Sequence, residues 1–137
     1  MSEEYFFGQF GPEHFEKMKA GVDLFNEQKY WECHEELEHH WLEDAGDNAR
    51  LIYWAIIQVA AAMYHFRESN LEGVHGLLAK AKNKFQRATQ HNVETDYLRE
   101  HINWEEFKNL VMNSPERGEL VVYQEIYDFR FKGSLWK

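Results

Sequence analysis

The segment NARLIYWAIIQVAAAMYHFR, Asn48 to Arg67, does most to limit what this chain can fold into. Ile52, Ile56, Val59, Met63 and Phe66 recur at intervals of three and four, the spacing of one helical face. Ala55, Ala60, Ala61 and Ala62 leave the other faces small and apolar. A helix that is apolar on more than one side cannot lie on a surface, so it must be central, with neighbouring helices close to its alanines. Its longest apolar run, Trp54 to Tyr64, is interrupted by Gln58 and too short to cross a bilayer.

The flanking sequence supplies the neighbours. Phe15, Met18, Val22 and Phe25 predict a first helix from Pro12 to Glu27, with Pro12 at its first position and Glu13 in its first turn. Tyr30, His34, Leu37, Glu38 and Trp41 are expected to share the inner face of a second helix that stops near Gly46. Ser69 or Asn70 caps a fourth helix with the stripe Leu71, Val74, Leu77, Leu78, Ala81 and Phe85. Gly73 and Gly76 within it suggest close approach to another helix. Lys80, Lys82, Lys84 and Arg87 lie toward its C-terminal end, where the helix dipole favours cations. Asn103 and Glu106 resemble a capping box that opens a helix through Phe107 and Leu110, ending before Pro115. Residues 91–102 are left open. In ELVVYQEIYDFRF the β-branched and aromatic content suits a strand, while Val122, Ile126 and Phe129 would line one side of a helix. The expected fold is all-α, a compact bundle of about five helices with a short C-terminal extended or helical appendage, in a single helical domain over residues 1–137.

Charge and cysteine content narrow the function. A formal charge of −9 opposes binding to nucleic acid, which needs clustered Lys and Arg. The lone Cys33 cannot make an internal disulfide, and the acidic N-terminus MSEEYFFGQF does not resemble a signal peptide, so a cytoplasmic protein without a membrane segment is expected. No phosphate loop, dinucleotide fingerprint or nucleophile elbow is present in the sequence.

Chemistry concentrates in YWECHEELEHHW, Tyr30 to Trp41. His34 and Glu38 are one helical turn apart, a spacing at which an imidazole and a carboxylate can share a divalent cation, or can simply bond to one another. Two ligands fall short of the three or four that zinc takes from a protein. In the third helix Trp54, Gln58, Ala61 and His65 form one stripe. If the turn is centred near Ala45 and Gly46, His34 lies level with Gln58, and an unpaired buried amide, costing about 1 to 3 kcal/mol, would draw them together. His65 then falls ~10 Å further along the axis, near Tyr30 or the end of the first helix. Glu32, Glu36, His39, His40 and Glu43 read as a solvated face, Cys33 as an inert thiol, and Trp31, Trp41, Trp54 and Trp104 as core or interface anchors. Leu37, Trp41, Ile56, Val59 and Met63 are the expected core between the second and third helices.

The local HEELEHHW, with His34, Glu38 and Trp41, resembles the HxxxExxW/Y signature of the prokaryotic family called domain of unknown function 309. IIQVAAAMYHFRESNLEGVHGLL is similar to that family's IQ-A-A-YH-N-G pattern through Ile57, Gln58, Ala60, Ala62, Tyr64, His65, Asn70 and Gly73. The resemblance runs from about Phe25 to Leu78. It departs where Trp54 and Ala55 replace a polar residue and a glycine, and where Ser69 replaces a glycine. The resemblance implies a compact helical fold, an unassigned role, and a histidine motif suspected of binding metal.

Three functions remain. His34 and Glu38, assisted by Glu35 or Gln58, would hold a divalent metal ion for binding or hydrolysis. Alternatively His34, Glu35, Glu38, Trp41, Gln58 and His65 form a satisfied polar core in a structural or protein-interaction module, with a homo-oligomer open. The third is a pocket for a small polar ligand between the second and third helices.

Overall fold

The computed structural model describes residues 8–44 and 46–136. Among these, seven α-helices succeed one another: α1 Pro12–Asn26, α2 Tyr30–Glu43, α3 Arg50–Arg67, α4 Leu71–Gln90, α5 Asp96–His101, α6 Trp104–Met112 and α7 Gln124–Tyr127, with a 3-10 turn at Leu120–Tyr123 just before α7. The first four form an antiparallel meander with short connections. Lys17 Nζ reaches Asp44 at 2.6 Å and His14 Nε2 reaches Asp47 at 2.8 Å, tying the start of α1 to the end of α2. Asn70 caps α4, its side chain accepting a hydrogen bond from the Gly73 N–H at 3.1 Å.

The central position expected for the apolar segment is observed. Along α3, Ile52, Ala55, Ile56, Val59, Ala60, Ala62 and Met63 are fully enclosed, while Trp54, Gln58, Tyr64, His65 and Phe66 are partly exposed. No helix among the described residues is long and apolar enough to cross a membrane. Gly73 does permit close approach, since a methyl group there would strike the His65 ring at 2.7 Å, whereas Gly76 faces open space.

The helix count exceeds the expected five because residues 91–102 contain the short α5, capped by Thr95, and the C-terminal segment contains α7. That segment is also no appendage. Its 3-10 turn and α7 direct Tyr123 and Ile126 inward and leave Val122 exposed, because the residues turn more tightly than the single long helix that a Val122, Ile126, Phe129 stripe would require. The chain then extends, and Phe129 and Phe131 join Phe25 and Phe107 in the core, with the Phe107 and Phe131 ring centroids 4.7 Å apart. The Asn26 side chain holds Phe131 at both its carbonyl and its N–H, at 3.0 and 2.7 Å. Asn103 likewise grips Lys132, so it serves the tail more than its own helix.

Candidate functional site

The orientation of α2 decides which residues can act together. Its buried line is Tyr30, Cys33 and Leu37, all fully enclosed, with Leu37 pressed against Gly21 of α1. The row expected to face inward, His34, Glu38 and Trp41, follows that line by one or more residues, and each residue turns an α-helix by about 100°. It therefore occupies the shoulder of the helix beside α3 instead of its buried face. His34 and Trp41 are half-buried, while Glu38 and Glu35 are exposed, which corrects the expectation of an inward Glu38. Trp41 is thus a rim residue, whereas Leu37, Ile56, Val59 and Met63 are core as expected. His39 is exposed, but His40 is half-buried and bonded to Glu36 at 3.1 Å, so only one of this pair is in the solvent as expected.

On this shoulder the aromatic side chains are layered. The Trp31 ring, 45% exposed, stacks on His34 at 4.9 Å and 15°. Trp41 packs on Trp54 of α3 at 4.9 Å. The departure noted at Trp54 thus places a second indole beside the first. The Arg50 guanidinium lies 4.2 Å from the Trp41 ring centroid and donates to the Trp41 carbonyl at 3.0 Å. From α4, Lys84 and Arg87 approach the Trp54 ring at 4.2 and 5.3 Å. Burial, reinforced by Arg87 and Lys80, holds the Lys84 ammonium below the usual lysine range. In the sequence Lys80, Lys84 and Arg87 read as helix-end charges. Their spacing of four and three residues along α4 carried the signal that they share a stripe facing α3.

Three polar atoms along the seam between α2 and α3 are closed to solvent without a hydrogen-bond partner: His34 Nδ1, Trp41 Nε1 and Gln58 Oε1. His34 and Gln58 are therefore not joined to each other as expected. His65 is not part of this row. Its Nδ1 meets the Asn70 side chain at 3.2 Å and its ring rests on Gly73, so it stabilises the turn into α4.

The donors do not suit a divalent cation. Among the described residues no group of three or more His, Cys, Asp or Glu side chains could hold a metal. Cys33 is sealed in the core, and burial, with Glu36 adding repulsion, pushes its thiol far above the usual range. Cys33 is accordingly expected to resist aromatic disulfide reagents at about pH 8 in the native protein and to react fully after unfolding in guanidinium. Prompt native-state labelling would contradict its burial.

The comparisons with known proteins agree with this core. Residues 18–77 match the model of the family described as Domain of unknown function (DUF309). The "Uncharacterized protein YpuF" of Bacillus subtilis (strain 168) is 37% identical over 67 residues, 46% of this chain and 38% of that protein, so the alignment spans well under half of the relative's length. No solved structure matches the chain. The matched region begins at Met18 in α1, contains α2 and α3 whole, and ends at Leu77 in α4, so the similarity to the DUF309 family lies in this helical core.

Proposed function

We propose that this protein is an interaction module that receives a helix of a partner polypeptide along the shoulder formed by α2 and α3. The observation that carries the proposal is the half-exposed Trp31 ring stacked on His34 beside the Trp41 and Trp54 pair, while the enclosed unpartnered atoms of His34, Trp41 and Gln58 bear on the alternative. Buried polar groups in folded proteins are overwhelmingly paired, and an unpaired one costs about 1 to 3 kcal/mol, so a row of them argues against a closed polar core. From Trp31 to Trp41 the shoulder extends ~15 Å at the helical rise, about three turns of a docking helix. Its aromatic residues, among them the exposed Trp31, are of the type enriched at interfaces. The flank on α2 carries the exposed carboxylates of Glu35 and Glu38, and the flank on α4 carries Lys80 and Arg87. A partner helix with basic residues along one edge and acidic residues along the other matches both.

Stability measurements separate this module from a self-satisfied core. With no partner at its Oε1, Gln58→Leu should leave stability unchanged or raise it by up to about 1 to 3 kcal/mol, and His34→Ala with Gln58→Ala should be near additive. A marked loss in Gln58→Leu, or coupling above about 0.5 kcal/mol between His34 and Gln58, would favour the closed polar core instead. Sedimentation at increasing concentration, with Trp31→Ala as the control, tests whether the docked helix comes from a second copy of the chain.

A further inference from the structure

We propose that Arg50 and Arg87 build a site for a small tetrahedral oxyanion, a phosphate ion or the phosphoryl group of a small molecule, where α3 begins. A cavity of about 80 Å³ opens there, with Asp47, Asn48, Arg50, Trp54 and Arg87 in its wall. At roughly 30 Å³ of liquid volume per water it has room for two or three waters, which suits one oxyanion and excludes a nucleoside.

The cations are arranged for such a guest. Arg50 uses one of its N–H groups on the Trp41 carbonyl and keeps the others, because a guanidinium carries five donors. Arg87 makes no ion pair or side-chain hydrogen bond among the described residues. Lys84, only 8% exposed, has a single hydrogen bond among the described residues, to Asn83 at 3.3 Å. In a chain with 24 acidic and 15 basic residues, it is unexpected that none of these three cations forms an ion pair among the described residues. The carboxylate in the cavity wall, Asp47, is already engaged: one oxygen bonds to His14 at 2.8 Å and the other accepts from the Ala49 N–H at 2.9 Å. Two guanidinium groups facing one committed carboxylate, with the Lys84 ammonium on the neighbouring Trp54 ring, leave a positive excess that suits the charge of about −1.5 to −2 on a phosphoryl group.

The indoles hold the guanidinium groups in place through their ring faces, so less freedom is lost on binding. The positive end of the α3 dipole adds to the field. The backbone N–H groups of Arg50, Leu51 and Ile52 are bonded within the turn, to the carbonyls of Asp47, Asn48 and Ala49, so the guanidinium groups would do the holding. This site shares Trp54 and Arg87 with the proposed partner surface but requires no partner, and each can fail without the other.

The test is calorimetric titration of the full chain at fixed ionic strength with inorganic phosphate, glycerol 3-phosphate and acetate. Phosphate is expected to bind, acetate at least about tenfold more weakly, and Arg50→Gln and Arg87→Gln should each weaken phosphate by about tenfold, with circular dichroism confirming that both variants fold. Binding of glycerol 3-phosphate equal to or tighter than that of phosphate would identify a phosphorylated molecule as the source, and binding of phosphate alone would identify the free ion. Absence of heat and of any thermal shift in folded wild type at about 10 mM phosphate would overturn the proposal, as would phosphate binding that survives the double Arg50→Gln, Arg87→Gln variant.

Discussion

Replacing Trp104 with alanine is expected to remove about 3 to 5 kcal/mol from the unfolding free energy, read from guanidinium denaturation followed by circular dichroism. Trp104 opens α6 and is fully enclosed, with the Phe85 and Phe107 rings at 5.3 and 5.7 Å. Its indole N–H donates to the Glu94 carboxylate at 2.6 Å, and Lys108 Nζ reaches the same carboxylate at 3.0 Å. Alanine would therefore open a cavity and also take one donor from a carboxylate whose side chain is only 5% exposed. Trp104→Phe retains most of the ring packing and should cost less, about the 1.5 to 3 kcal/mol of a hydrogen bond to a charged group. A loss below about 1 kcal/mol in the alanine variant would show that α5 and α6 contribute little to the cooperative unit.

The second large effect is expected where α1 meets α2. A methyl group added at Gly21 would fall within the Leu37 side chain, at its Cγ and Cδ2 atoms, so Gly21→Ala should cost about 1 to 3 kcal/mol by overpacking. Leu37→Ala, at a fully buried position, should cost about 2 to 5 kcal/mol by leaving a cavity. The double variant should lose less than the two losses combined, because the new methyl group enters the space that Leu37 leaves. Strict additivity would mean that the helices separate instead of exchanging volume across the contact.

Local signals were enough to locate the early elements. The helical spacing of Phe15, Met18, Val22 and Phe25 marked α1, and the apolar stretch around Ile56 marked a central α3, because periodicity and propensity act within a few residues of sequence. A cap at Ser69 or Asn70 was legible for the same reason, and the structure selects Asn70. The C-terminal segment was not, since its conformation depends on distant groups: Asn26 bonds to Phe131, 105 residues away, and Gln28 and Tyr30 both donate to the Tyr127 carbonyl. A short aromatic stretch with no strong local preference takes the form that buries its rings.

The candidate site divides in the same way. The sequence by itself determined that His34, Glu38 and Trp41 share one stripe of a helix and Trp54 and Gln58 share another, because 3.6 residues per turn leaves no alternative once the helices form. Only the tertiary structure decided that the first stripe lies on a shoulder. Cys33 and Leu37 compete with His34 and Glu38 for the interior, and turning α2 to enclose a thiol and a leucine against Gly21 leaves the carboxylate hydrated, avoiding the cost of burying a charge. The meeting of Arg50, Lys84 and Arg87 on the rings of Trp41 and Trp54 likewise required α3 and α4 to pack antiparallel, which brings together residues more than thirty positions apart.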